Sequence, residues 1–165
     1  MFDSDEKSTE PSNSDTTPTI SGISEFDAIT QILKSSRVIA VVGLSNRPMR
    51  ASHGVAQYLQ SVGYRIIPVN PNETEVLGEK SYTRLQDISV AVDIVDVFRR
   101  SEFVPEIVNA AIQISARCIW MQEGVIHAEA AERARRAGLF VIMDKCTLKE
   151  HLKRAREFQR PAKSS

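Results

Sequence analysis

The sequence predicts an α/β fold, a doubly wound, mainly parallel sheet flanked by helices on both faces. Three observations carry this. Short apolar runs recur along the chain: "RVIAVVG", "YRIIPVN", "AVDIVDVF", "CIWMQ" and "LFVIMD". Segments with apolar residues three and four apart alternate with them, the spacing of amphipathic helices. The first run is β-branched and apolar without alternation, as a strand covered on both faces requires. Strands alternating with helices at this interval imply parallel pairing through right-handed crossovers, a Rossmann-like architecture.

Taken in order, residues 1–19 are rich in Ser, Thr, Pro and acid and are expected to be disordered. Ile23, Phe26, Ile29, Ile32 and Leu33 recur at helical spacing, so a helix opens the domain, which spans 20–160. After the first strand, Val55, Leu59 and Val62 share a helix face, and Gly63 ends that helix as its C′ residue. Pro71 stops the second strand, and an irregular stretch with a turn at Gly78 follows. Ser101 is placed to cap a helix carrying Val104, Ile107, Val108, Ala111 and Ile112. "HAEAAERARRAG" is a helix started by His127 and closed at Gly138, and "TLKEHLKRARE" is the last helix. The final "PAKSS", residues 161–165, is expected to fray.

Size and composition narrow the functional classes. The chain of 165 residues suffices for one domain with a substantial core. No apolar run approaches the roughly 20 residues that span a bilayer, and the N-terminus lacks a basic start and apolar core of a secretory signal. A cytoplasmic location without membrane association is therefore expected, and it suits two cysteines without metal-ligand spacing, Cys118 and Cys146. Net charge is zero but uneven. Residues 1–19 carry five acids against Lys7, while Lys149, Lys153, Arg154, Arg156, Arg160 and Lys163 crowd the other end. No aromatic residues interleave with those cations as a single-strand platform would need, so they read as a solvated helix face and nucleic acid is not an expected partner.

In such sheets ligands bind beyond the carboxyl ends of the strands, where strand order reverses. Those ends are "GLSNRP", "VNPNE", "VFRRSE", "WMQEG" and "MDKC". In the first, Gly43 permits a tight turn, and a helix beginning between Arg50 and Ser52 would aim its free N–H groups at the cleft. Ser45 and Ser52 add hydroxyls, and Arg47 and Arg50 add fixed charge. This is a phosphate cradle, set against a plain surface turn with solvated arginines. Its nicotinamide version fits less well. The dinucleotide fingerprint G-x-G-x-x-G has Ser45 and Pro48 at its second and third glycines, and the second strand ends in Asn70-Pro71 with no acid before Glu73. NAD(H) is disfavoured on that ground.

From Ile23 to Leu152 successive blocks resemble the small stand-alone CoA-binding proteins. These are similar in turn to the nucleotide-binding domain of the succinyl-CoA synthetase α subunit. The resemblance is carried by "VIAVVGLSNRPMRASHGVAQYL", "GYRIIPVNPNETEVLGEKSYTRLQDI", "VDIVDVFRRSEFVPEIV", "IWMQEGVIHAEAAERARRAGLFVIMDKC" and Glu150-His151. It implies coenzyme A or an acyl-CoA as the ligand, with Gly43, Leu44, Ser45, Arg50 and Ser52 at the phosphates. Val69, Asn70 and Pro71 are then expected beside adenine and ribose. Phe98 would pack on the ligand, Arg99 approach a phosphate, and Gln122 and Gly124 line the cleft.

"MDKCTLKEH" admits competing readings. Cys146, beside Lys145 and a helix start, could be a reactive thiol, while Thr147 and Glu150 make a T-x-x-E capping box. His151 either packs against the sheet or faces water, His53 sits in an ordinary first helical turn, and Cys118 reads as a small buried hydrophobe. No set of general acid, base and nucleophile assembles, so no reaction is assigned. Two alternatives stay open: an NAD(H)-binding enzyme or redox sensor, and a CoA-binding subunit of a larger ligase. A protein partner or a homodimer is compatible with either.

Overall fold

The structure is a computed structural model and describes residues 22–159. The expectations for residues 1–19 and 161–165 lie outside the described residues. Five strands form one parallel sheet: β1 (Val38–Val42), β2 (Arg65–Val69), β5 (Ile94–Val97), β6 (Cys118–Met121) and β7 (Phe140–Ile142). Their spatial order is β2-β1-β5-β6-β7, so the order reverses beside β1. This is the Rossmann-like sheet that the sequence predicts.

Alternation along each strand feeds two cores. Ala40, Val95, Val97, Ile119 and Met121 face α3 (Val104–Gln113) and α4 (Ala128–Arg136). Ile39, Val41, Ile94, Trp120 and Ile142 face the other side, packed with α1 (Glu25–Ser35), α2 (Ala51–Ser61) and α5 (Thr147–Lys153). A short α6 (Ala155–Phe158) follows. Trp120 is fully buried and its indole N–H donates to the Lys145 carbonyl at 2.8 Å, pinning the connection from β7 to α5.

Three helices end alike. After α2, the Gly63 N–H bonds Gln60 and the Tyr64 N–H bonds Leu59, the paired bonds of a Schellman motif with Gly63 as C′. Gly138 does the same for α4, and Ser115 for α3 with φ 57°.

Several local expectations give way to tertiary contacts. The stretch after Pro71 holds a hairpin of β3 (Glu75–Val76) and β4 (Glu79–Lys80). Its two turn residues, Leu77 and Gly78, both have positive φ, the type I′ requirement. Ser101 does not cap α3. It starts a 3₁₀ turn (Ser101–Phe103), and its hydroxyl accepts from the Ile126 N–H instead. Val62 is the exposed C-cap of α2 rather than part of its buried face.

The capping box is likewise absent. Cys146 is the N-cap of α5 and makes no side-chain cap bond, while the Thr147 hydroxyl donates to Asp96 and Glu150 pairs with Arg154 at 2.7 Å. Arg154 is not solvated, being 1% exposed. Its guanidinium donates to Glu150, to Thr30 Oγ1 and to the Phe26 carbonyl, and stacks on the Phe26 ring at 4.0 Å. It therefore clamps α1 onto α5.

Candidate functional site

β1 must stop where β2 and β5 flank it. The Gly43 N–H donates to the Val69 carbonyl and the Phe98 N–H to the Val42 carbonyl, both at 2.9 Å. Gly43 has φ +87°, and a Cβ there would lie 2.5 Å from the Phe98 carbonyl oxygen. Only glycine satisfies both demands. Leu44 then turns inward, fully buried against the α2 core, and its carbonyl accepts from the Asn70 side chain at 3.0 Å.

Beyond Leu44 the loop is tied from within. The Ser52 hydroxyl accepts from the Ser45 N–H, the Ser45 hydroxyl from the Arg47 N–H, and Glu73 Oε1 from the Asn46 N–H, each at 3.1 Å. The loop delivers the chain to α2, whose N-cap, Arg50, makes no side-chain cap bond and whose first turn holds no acid. The positive end of the α2 dipole thus faces the loop uncompensated by a carboxylate on its own helix.

Three cavities run along the carboxyl edge of β2, β1 and β5. One of about 490 Å³ is lined by Gly43, Ser45, Arg47, Arg50 and Ser52. A second, of about 590 Å³, shares Gly43, Arg50, Asn70, Asn72 and Phe98 with it and adds Arg99 and Arg100. A third, of about 380 Å³, shares Arg99 and Phe103 with the second; Val42, Val69, Pro71, Leu85 and Ile107 form its apolar walls, and Thr83, Arg84, Gln86 and Glu106 also line it. Shared walls make these one groove, with Arg47, Arg50 and Glu73 at the α2 end and apolar walls mixed with Arg84 and Glu106 at the α3 end. Among the described residues Arg47, Arg50 and Arg99 form no ion pair, whereas Arg100 lies 3.7 Å from Glu102.

The groove gathers Gly43, Ser45, Arg50, Ser52, Val69, Asn70, Pro71, Phe98 and Arg99, with Leu44 buried beneath it. Gln122 and Gly124 are not among the residues lining these three cavities. The Gln122 side chain is buried and donates to Asp96 Oδ1 and to Thr147 Oγ1, and the Gly124 N–H bonds Asp144 at 2.7 Å. The Asn70 side chain braces the loop, its amide holding Leu44 and its Oδ1 accepting from the Asn72 N–H at 2.9 Å.

Sequence reasoning missed Leu85, Phe103 and Ile107, the walls of the apolar end. Phe103 carried a faint signal, lying just past the third strand end. Leu85 comes from a 3₁₀ turn that has no periodic pattern.

The other motifs resolve into structure. His151 is buried, its Nδ1 is 2.7 Å from the Tyr58 hydroxyl, and it stacks on Phe158 at 4.5 Å, with burial pulling its pKa below the usual histidine value. Asp96 is fully buried with bonds from Gln122 and Thr147, and burial pushes its carboxyl up to about 7 against the pull of those bonds.

Known proteins can be set beside this geometry. Residues 37–152 match the family described as CoA binding domain. The chain is 45% identical over 123 residues to the uncharacterized protein YneT of Bacillus subtilis (strain 168), covering 74% of this chain and 91% of that one. It is 35% identical over 71 residues to the ADP-forming acetate–CoA ligase II subunit alpha of Pyrococcus furiosus, spanning 16% of that protein's length. A hypothetical protein from Pyrococcus horikoshii OT3 superposes with a TM-score of 0.77 at 34% identity, over 90% of this chain and 98% of that one. The dinucleotide-forming acetyl-coenzyme A synthetase 1 of Ca. Korarchaeum cryptofilum shares the fold, with a TM-score of 0.61 at 22% identity over 28% of its length. No described helix is long and apolar enough to cross a membrane. On the family match and the aligned length of its relatives, this chain belongs to the CoA-binding domain family.

Proposed function

We propose that the chain binds coenzyme A or an acyl-CoA in the groove at the carboxyl edge of β2, β1 and β5, and that it does so without chemistry of its own. The observation that carries this reading is the α2 N-terminus, free of any acid in its first turn and opening beside Arg47 and Arg50. A pyrophosphate is the ligand group such an end receives best. Each charge-assisted contact there contributes roughly 1.5–3 kcal/mol when well formed. Gly43 lets the chain pass close to Phe98 and Arg99 without a side chain in between. The apolar walls that Val42, Val69, Pro71, Leu85 and Ile107 give the third cavity suit the faces of an adenine ring, and its polar lining residues suit the edge.

Membership of the CoA-binding domain family supports the same ligand. The end of β2 carries Asn70 where a dinucleotide site carries an acid for the ribose diol, which argues against NAD(H). The shared stretch with a ligase alpha subunit raises a second role, a CoA-holding subunit that hands its ligand to a partner chain.

Calorimetry with CoA and NADH tests the first reading. CoA should bind, Arg50→Ala should weaken it by at least tenfold, and NADH should give no saturable heat. Tight NADH binding with no response to CoA would replace the reading.

A further inference from the structure

We infer that the chain's own N-terminal segment, through residues 17–21, docks in a trough along β7 and closes the open edge of the sheet. β7 is the last strand of the order, at the side away from β2. The Phe140 N–H turns inward to the Arg117 carbonyl at 2.9 Å, so in this parallel ladder Val141, one residue on, turns its N–H and carbonyl to the open side. An edge in that state pairs with other chains unless something covers it. Two adjoining cavities, of about 510 and 530 Å³, run beside it between β7 and α1. They share Ile23, Ala28 and Phe140, and Ile32, Leu139 and Val141 extend the apolar lining.

The occupant follows from where the chain enters. Residues 1–21 join the described part at Gly22, whose φ of +81° turns the backbone, and the next residue, Ile23, lines both cavities. Ile20 is three residues before Ile23, so its Cα lies within about 11 Å of it. The segment is also built for an edge. Thr17, Thr19 and Ile20 are β-branched. In the register that gives Thr19 to β7, Pro18 falls on the outer side, where its missing N–H ends the sheet.

Charge points the same way. The charged lining of the trough is Lys34, Arg117 and Arg135 against Glu25. Arg117 meets Asp93 and Arg135 meets Glu132 only at 3.7 Å, and Glu25 meets Lys145 at 4.0 Å. Lys34 forms no ion pair among the described residues. The segment before Gly22 brings five acids against Lys7. A second copy seated across a two-fold axis would instead bring the same three cations to the same trough. An acidic strand fits that field and a like-charged mate does not.

Amide hydrogen exchange on the full chain, resolved by residue with NMR, tests this independently of CoA. In wild type the Val141 N–H should exchange at least about tenfold more slowly than in Ile20→Asp. The Phe140 N–H, bonded to the Arg117 carbonyl, should be equally slow in both and so certify an intact sheet. Lys34→Glu with Arg135→Glu should remove at least about threefold of the Val141 protection. A Val141 N–H as fast in wild type as in Ile20→Asp overturns the inference, and a charge reversal without effect overturns the choice of this acidic segment. Protection at Val141 that rises with protein concentration would give the trough to a second copy and overturn it as well.

Discussion

Replacing Gly43 by alanine should damage fold and site together, and the structure gives the size of the effect. At φ +87° an L-residue is strained by about 1–2 kcal/mol. The added Cβ would also stand 2.5 Å from the Phe98 carbonyl oxygen, which is backbone and cannot rotate away. Overpacking of that kind costs about 1–3 kcal/mol. The sum is about 2–5 kcal/mol, a large part of the stability of an ordinary domain. With an m-value of about 2 kcal/mol/M for a chain of this size, the urea midpoint should fall by about 1–2.5 M. The ends of β1 and β5 would be pushed apart beneath the groove, so CoA binding should weaken in whatever fraction remains folded. A midpoint shift below about 0.3 M would refute the claim that the two strand ends close on this glycine.

Other positions give independent tests. Arg154→Met should destabilise by about 3–5 kcal/mol, because it leaves the buried Glu150 carboxylate without its main partner. Thermal unfolding checks this, and Arg154→Met with Glu150→Leu should recover part of the loss; an unchanged melting temperature in the single variant would contradict the clamp. Ser115→Gly should stabilise by about 0.5–1 kcal/mol by relieving the positive φ at the end of α3, read as a raised urea midpoint. Asp96 should give a pH signature. Its carboxyl, raised to about 7 by burial, holds its proton more tightly in the folded chain than in the unfolded one. The stability it confers is therefore full below about 4 and fades as pH rises to about 7, at up to about 1.4 kcal/mol per pH unit. Wild-type stability minus that of Asp96→Asn should fall across this window, with the His151 contribution cancelling; a flat difference would rule the titration out.

What could be read from the sequence follows from what is local. The five long strands were legible because each is a short apolar run, and two helix ends because Gly63 and Gly138 are where a left-handed residue is needed. The first loop was legible for the same reason, since one glycine after a buried strand and two arginines before a helix are written consecutively. The misreadings arise where a side chain is claimed by a distant partner. Ser101 looks like a cap until Ile126 takes its hydroxyl, and Thr147 until Asp96 does, 51 positions away. Arg154 looks solvated until α1, 124 and 128 positions earlier, closes over it. The two-residue strands of the hairpin are too short for any period to show, and its Leu77 lacks the usual turn identity.

A crystal structure of the chain with bound CoA tests the central claim most directly. The account predicts the pyrophosphate within hydrogen-bond distance of the N-terminal amides of α2 and of Arg50, and the adenine between Val69 and Ile107. A pyrophosphate bound away from the turn at Gly43, with the first loop empty, would contradict it.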